Sequence, residues 1–111
     1  MGNPIGEEMN IYRYEVTNNT ASGSATSTTL DVRGGLLRQF IVRANTLTTL
    51  FRVNVAESNG ATVLEYGYHN GEINDTGSES ALPLPMLGRY NVNITNASPN
   101  DVFTIRAIVQ E

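Results

Sequence analysis

Between Leu87 and Val109 the large apolar side chains fall at alternate positions. Tyr90, Val92 and Ile94 alternate with Asn91, Asn93 and Thr95; after Asn96-Ala97-Ser98-Pro99-Asn100-Asp101, Phe103, Ile105 and Ala107 alternate with Thr104 and Arg106. A strand turns successive side chains to opposite faces, so each run presents one apolar and one polar side. The intervening Asn, Ser, Pro and Asp set turn dihedrals and accept backbone hydrogen bonds, Asp101 among them. The stretch therefore reads as one β-hairpin with a common apolar face. A half-buried antiparallel pair needs a second layer to cover it, which points to a β-sandwich.

The same period recurs upstream. Tyr12, Tyr14 and Val16 share one side of Asn10–Thr17, and Leu30 and Val32 carry the pattern through Thr26–Arg33, where Gly34-Gly35 ends it. Gln39–Ala44 is apolar on both sides, with Phe40 and Val42 against Ile41, and reads as a central strand or one covered at an interface. Leu50–Glu57 puts Phe51, Val53 and Val55 inward; Ser58-Asn59-Gly60 is a short-hairpin signal; Thr62–Tyr68 returns with Leu64, Tyr66 and Tyr68 on one side. Residues 69–80 form the longest polar stretch and read as a loop. Pro83 and Pro85 then make an extended edge or crossover, since proline removes a ladder donor. Short strands at regular spacing, about seven in all, with no helical period, predict an all-β antiparallel sandwich of jelly-roll-like character. Residues 10–111 make one such domain, and residues 1–9 read as an extended N-terminal arm anchored by Ile5.

Composition limits the function classes. Only 16% of residues are charged and the formal net charge is −4, which argues against general binding of nucleic acid, a contact that rests on basic side chains. No apolar run is long enough to cross a bilayer, so no membrane partner is expected. The N-terminal residues lack a secretory pattern, and the chain is read as made in the cytoplasm. Cysteine is absent, which removes disulfides and thiolate metal sites. All seven basic residues are Arg, whose planar fork suits interfaces better than lysine does.

Equipment for catalysis is sparse. The single imidazole, His69, reads as a solvated loop residue, and no lysine or cysteine can act as nucleophile. Glu72, Asp75 and Glu79 fall in one polar stretch, but their spacing does not match an EF-hand loop, and acids there serve solubility. Tyr12, Tyr14, Tyr66 and Tyr68 are read as packing residues before they are read as a sugar platform. No catalytic residue, cofactor or metal is assigned, and the chain is expected not to be an enzyme.

The run Leu87–Ile105, together with the lysine-free, Asn/Thr/Ser-rich body and the arm, resembles small β-sandwich virion proteins of tailed bacteriophages, of the capsid decoration or cement type. The resemblance implies a homo-oligomer, with a trimer favoured, that sits on the virion surface and stabilises the head by bridging major capsid subunits. Separately from that resemblance, adhesive surface is expected at Pro4, Ile5 and Met9 of the arm, at Ile41 and Arg43 of the doubly apolar strand, and at Arg38 just before it. An arm of ten residues reaches at most about 33–36 Å when extended, enough to cross onto a neighbour. The competing readings are a carbohydrate-binding sandwich, built on the tyrosines and the acidic stretch, and another tail or neck component.

Overall fold

The computed structural model describes residues 11–19, 25–46, 49–77, 82–97 and 101–111. The arm, with Pro4, Ile5 and Met9, lies outside the described residues, as does Glu79. Seven strands are described: β1 Ile11–Asn19, β2 Thr26–Ala44, β3 Leu50–Glu57, β4 Thr62–Asn70, β5 Glu72–Asp75, β6 Leu84–Thr95 and β7 Val102–Gln110. Every pairing is antiparallel, in the order β1-β7-β2-β6-β3-β4, with β5 on β2. The architecture is the all-β, sandwich-like fold that the alternation predicts.

Its spine is β2. Residues Thr26–Leu37 pair with β6, and residues Leu36–Ala44 pair with β7 on the opposite side, while β5 takes Phe40–Arg43. One long strand thus passes from a β4–β3–β6–β2 layer into a β1–β7–β2–β5 layer. The passage occurs at Gly34-Gly35, where a register shift against β6 inserts an extra residue. Both glycines have positive φ, and a Cβ on Gly35 would stand 2.5 Å from the Gln110 carbonyl oxygen. No other residue fits there without moving the end of β7. Gly34-Gly35 therefore bends a strand, and does not end one as the sequence suggests.

The two layers meet through their inner faces. Phe40 of β2 stacks on Tyr66 of β4 at 5.7 Å between centroids, and Phe51 of β3 meets Phe103 of β7 edge-on at 5.0 Å. Around these rings Leu37, Val42, Val53, Val55, Ile73, Val92, Ile94, Ile105 and Val109 are almost wholly buried. Tyr90, Val92, Ile94, Phe103, Ile105 and Ala107 all face this core, as their alternation requires.

The predicted 87–109 hairpin does not exist. β6 and β7 pair with β2 on its opposite sides, so that Leu36 is opposite both Pro85 and Gln110. The 96–101 connection links two layers and closes no hairpin. The β3–β4 hairpin does form: the Glu57 amide donates to the Ala61 carbonyl, the Gly60 amide to the Glu57 carbonyl, and Asn59 Oδ1 accepts from the Ala61 amide. Residues 72–75 of the supposed loop form β5, and Gln39–Ala44 lies between β5 and β7 as a central strand.

Candidate functional site: two outer faces

With one side of each layer spent on the core, any binding surface must come from the outward residues, the ends or the bend. The outer face of β1–β7–β2–β5 is rich in arginine. Across it run the rows Thr17–Thr104–Arg43–Glu72, Glu15–Arg106–Ile41–Asn74 and Arg13–Ile108–Gln39, set by the strand registers. Glu15 Oε2 accepts from Arg106 Nη2 at 2.8 Å, Glu72 Oε2 accepts from Arg43 at 3.0 and 3.2 Å, and Gln110 Oε1 accepts from Arg38 Nε at 2.7 Å. Gln39 Nε2 donates to Asn74 Oδ1. Amid this polar mesh sit Ile41 and Ile108, half-buried, and Ile11, 60% exposed at the near end of β1. Arg106 Nε is buried with no hydrogen-bond partner among the described residues.

Arg38, Ile41 and Arg43 therefore do lie together on one exterior face. Sequence reasoning missed Ile11, Ile108 and Arg106. Their outward positions were readable from the period of each strand, but their adjacency to Ile41 depends on β1–β7–β2 register.

The outer face of β4–β3–β6–β2 has a different chemistry. Ser27 Oγ donates to Asn93 Oδ1 (2.8 Å), Asn93 Nδ2 to Asn54 Oδ1 (3.1 Å), and Asn54 Nδ2 to Thr62 Oγ1 (2.9 Å). In the adjacent row Thr29 Oγ1 donates to Asn91 Oδ1. Two ion pairs flank the amides, Arg89–Asp31 at 3.2 Å and Arg52–Glu65 at 3.9 Å. Arg52 also lies over the ring of Tyr68, whose hydroxyl accepts from Asn96 Nδ2.

Tyr68 is on this face because β4 carries a bulge. Phe51 pairs with His69 and Val53 with Tyr66, so β4 has one residue more than β3 over that span. The extra residue flips the alternation: Tyr66 points in and Tyr68 points out, 55% exposed, against the expectation that both share a side. His69 is likewise no loop residue. It ends β4 half-buried, its Nδ1 hydrogen-bonded to the Gly67 carbonyl and its ring edge-on to Tyr66.

The tyrosines do not assemble into one platform. Tyr14 packs on the core and its hydroxyl accepts from the Arg33 amide, while Tyr12 lies under the Arg33 guanidinium. Tyr66 donates to Asp75 Oδ2 at 2.7 Å. Burial, and then this bond and the charge of Asp75, raise the Tyr66 phenol well above its ordinary value, so it stays protonated. The acids of residues 72–79 also part company. Glu72 faces outward to Arg43, whereas Asp75 lies on the Ile73 side of β5 and accepts from Tyr66 and the Gly77 amide. No three His, Asp or Glu side chains among the described residues converge as metal ligands.

No protein-family model matches this chain, and no curated protein does. Among solved structures it is similar to PliG of Aeromonas hydrophila, a periplasmic inhibitor of g-type lysozyme. The identity is 13% and the TM-score 0.41, over 97% of this chain and 92% of that one. Likeness at that level transfers no function.

Two further features complete the surface. A shallow groove of about 390 Å³ opens at the bend between Gly34-Gly35 and Pro85-Met86-Leu87, backed by Tyr90. At one end of the sandwich Thr49 Oγ1 donates to the buried Asp101 carboxylate, whose other oxygen accepts from the Val102 amide. That latch ties the β2–β3 connection to the start of β7. Its groups satisfy one another, and its role is structural.

Proposed function

We propose that this chain is a noncatalytic virion assembly protein, of the capsid decoration type, that holds neighbouring major capsid subunits through the arginine-rich outer face. The observation that carries the reading is the placement of Ile11, Ile41 and Ile108 on that face, outside the core and framed by Arg13, Arg38, Arg43 and Arg106. Apolar side chains set among arginines are the composition of a protein–protein contact, where arginine is enriched and apolar anchors supply the energy. Covering one such isoleucine completely contributes about 1.5–3 kcal/mol before ordering costs. The proposed oligomer, a trimer on the virion surface, uses the same principle with residues 1–9 as an exchanged arm. Synthesis in the host cytoplasm follows from the same proposal.

The test uses capsids assembled with the protein, without it, and with Ile41→Asp or Ile108→Asp. Occupied capsids should resist heat and osmotic shock better than bare ones, and either variant should lower occupancy at temperatures where circular dichroism shows the isolated variant still folded. Equal resistance at full occupancy refutes the role. Unchanged occupancy for both variants refutes the face.

A further inference from the structure

We infer that the asparagine-lined outer face of β4–β3–β6–β2 binds an uncharged oligosaccharide, with Tyr68 as its stacking residue. The first argument is residue choice. Asn54, Asn91 and Asn93 occupy mid-strand outward positions, where asparagine is among the poorer strand formers. The other outer face fills the equivalent positions of β7 with Thr104, Arg106 and Ile108. Strand formation therefore does not account for the amides.

The second argument is hydrogen-bond valence. The chain Ser27–Asn93–Asn54–Thr62 engages the carbonyl and one N–H of each amide and so holds its plane in place. Asn93 and Asn54 each spend one N–H on the next member and keep the other; Asn91 accepts from Thr29 and keeps both. Donors about 4.8 Å apart along a row, the strand spacing, suit a ligand with acceptors along its length. The flanking charges are matched in pairs, Arg89 with Asp31 and Arg52 with Glu65, so the face selects for hydroxyl groups and not for an anion.

The third argument is the β4 bulge. It turns Tyr68 out of the core onto the amide face, and Asn96, the one non-glycine residue with positive φ among those described, anchors its hydroxyl. Beside it, a Cβ on Gly67 would meet nothing within 4 Å. An exposed ring with open space next to it and oriented amides beyond is the arrangement that grips a pyranose: C–H groups on the ring, hydroxyls on the amides. Bulges that re-aim a side chain concentrate at such sites. The predicted sugar site, four tyrosines plus the acidic stretch, is replaced by one tyrosine and three asparagines. The inference does not rest on the assembly role, which uses the opposite face.

The test is an amide-resolved NMR titration of the full chain with cellohexaose, maltohexaose, mannohexaose and N-acetylchitohexaose, with a sulfated heparin hexasaccharide as the charged comparison. At least one neutral probe should give saturable shifts at the side-chain amides of Asn54, Asn91 and Asn93. Asn93→Thr, which favours the strand, and Tyr68→Ala should each weaken binding about five- to tenfold, the equivalent of one lost hydrogen bond or stacking contact. Arg43→Ala, on the other face, should leave it unchanged. No saturable shift with any neutral probe, tighter binding of the sulfated one, or full affinity in Asn93→Thr would each overturn the inference.

Discussion

Replacing Gly35 tests whether β2 is pinned where it changes layers. In Gly35→Ala the new Cβ would lie 2.5 Å from the Gln110 carbonyl oxygen and 3.0 Å from two further backbone atoms of Gln110 and Glu111. Backbone cannot rotate away as a side-chain tip can, so the end of β7 or the bend must move. The φ of +145° adds a second cost, since L side chains rarely adopt it. Holding a disfavoured dihedral costs about 1–3 kcal/mol. Overpacking adds about 1–3 kcal/mol. Together these predict a loss of about 2–6 kcal/mol, or a fall in Tm on the order of 10–25 °C for a domain of this size. Two other glycines separate the terms. Gly60→Ala keeps a positive φ of 96° but meets nothing within 4 Å, so it should cost only the conformational part. Gly67→Ala has neither problem and should change stability by less than about 1 kcal/mol, on the favourable side, by restricting the unfolded chain. Urea unfolding of the three variants, read at constant m, gives the order directly. In a background lacking Gln110 and Glu111, where the clash is gone, Gly35→Ala should cost only the conformational part relative to the equally truncated parent. A Gly35→Ala midpoint no lower than that of Gly60→Ala would refute the clamp between β2 and the end of β7.

Three other perturbations probe separate links. Because the fold raises the Tyr66 phenol above its ordinary value of 10.0, the unfolded chain loses that proton first. Its contribution is fully present below about pH 10 and is lost as pH climbs toward the folded value, so stability should decline with pH above 10. Urea midpoints from pH 8 to 11 should show that decline, shallower in Tyr66→Phe; equal slopes would contradict the assignment. Thr49→Val removes a hydrogen bond from the buried Asp101 carboxylate and should cost about 1–3 kcal/mol by thermal unfolding, while a neutral result would show that Asp101 finds a substitute. Removing residues 1–9 should convert the proposed trimer to a monomer by light scattering, and an unchanged mass would refute arm exchange.

Much of the interior is legible in the sequence. Period-two alternation sorted Tyr90, Val92, Ile94, Phe103 and Ile105 to the buried side, and Ser58-Asn59-Gly60 marked the β3–β4 turn. Both are local properties, since pleat and turn dihedrals are set by a residue and its immediate neighbours. The same alternation puts Ile41 and Arg43 on one side of their strand, whereas Arg38, of opposite parity, reaches that side only through the register shift between Leu37 and Gln39.

Partnership was decided only by the tertiary structure. Any strand edge offers the same N–H and C=O groups, so alternation says which way a side chain points but not which strand lies alongside. β6 and β7, adjacent in sequence, are separated by β2 because both layers must close over Phe40, Phe51 and Phe103. Three details depend on that closure: Gly34-Gly35 bends β2 and does not end it, one extra residue in β4 sends Tyr68 outward, and β5 puts Glu72 and Asp75 on opposite sides. The two outer faces exist as faces only through register, which brings together side chains far apart along the chain, from Ile11 to Ile108 and from Ser27 to Asn93.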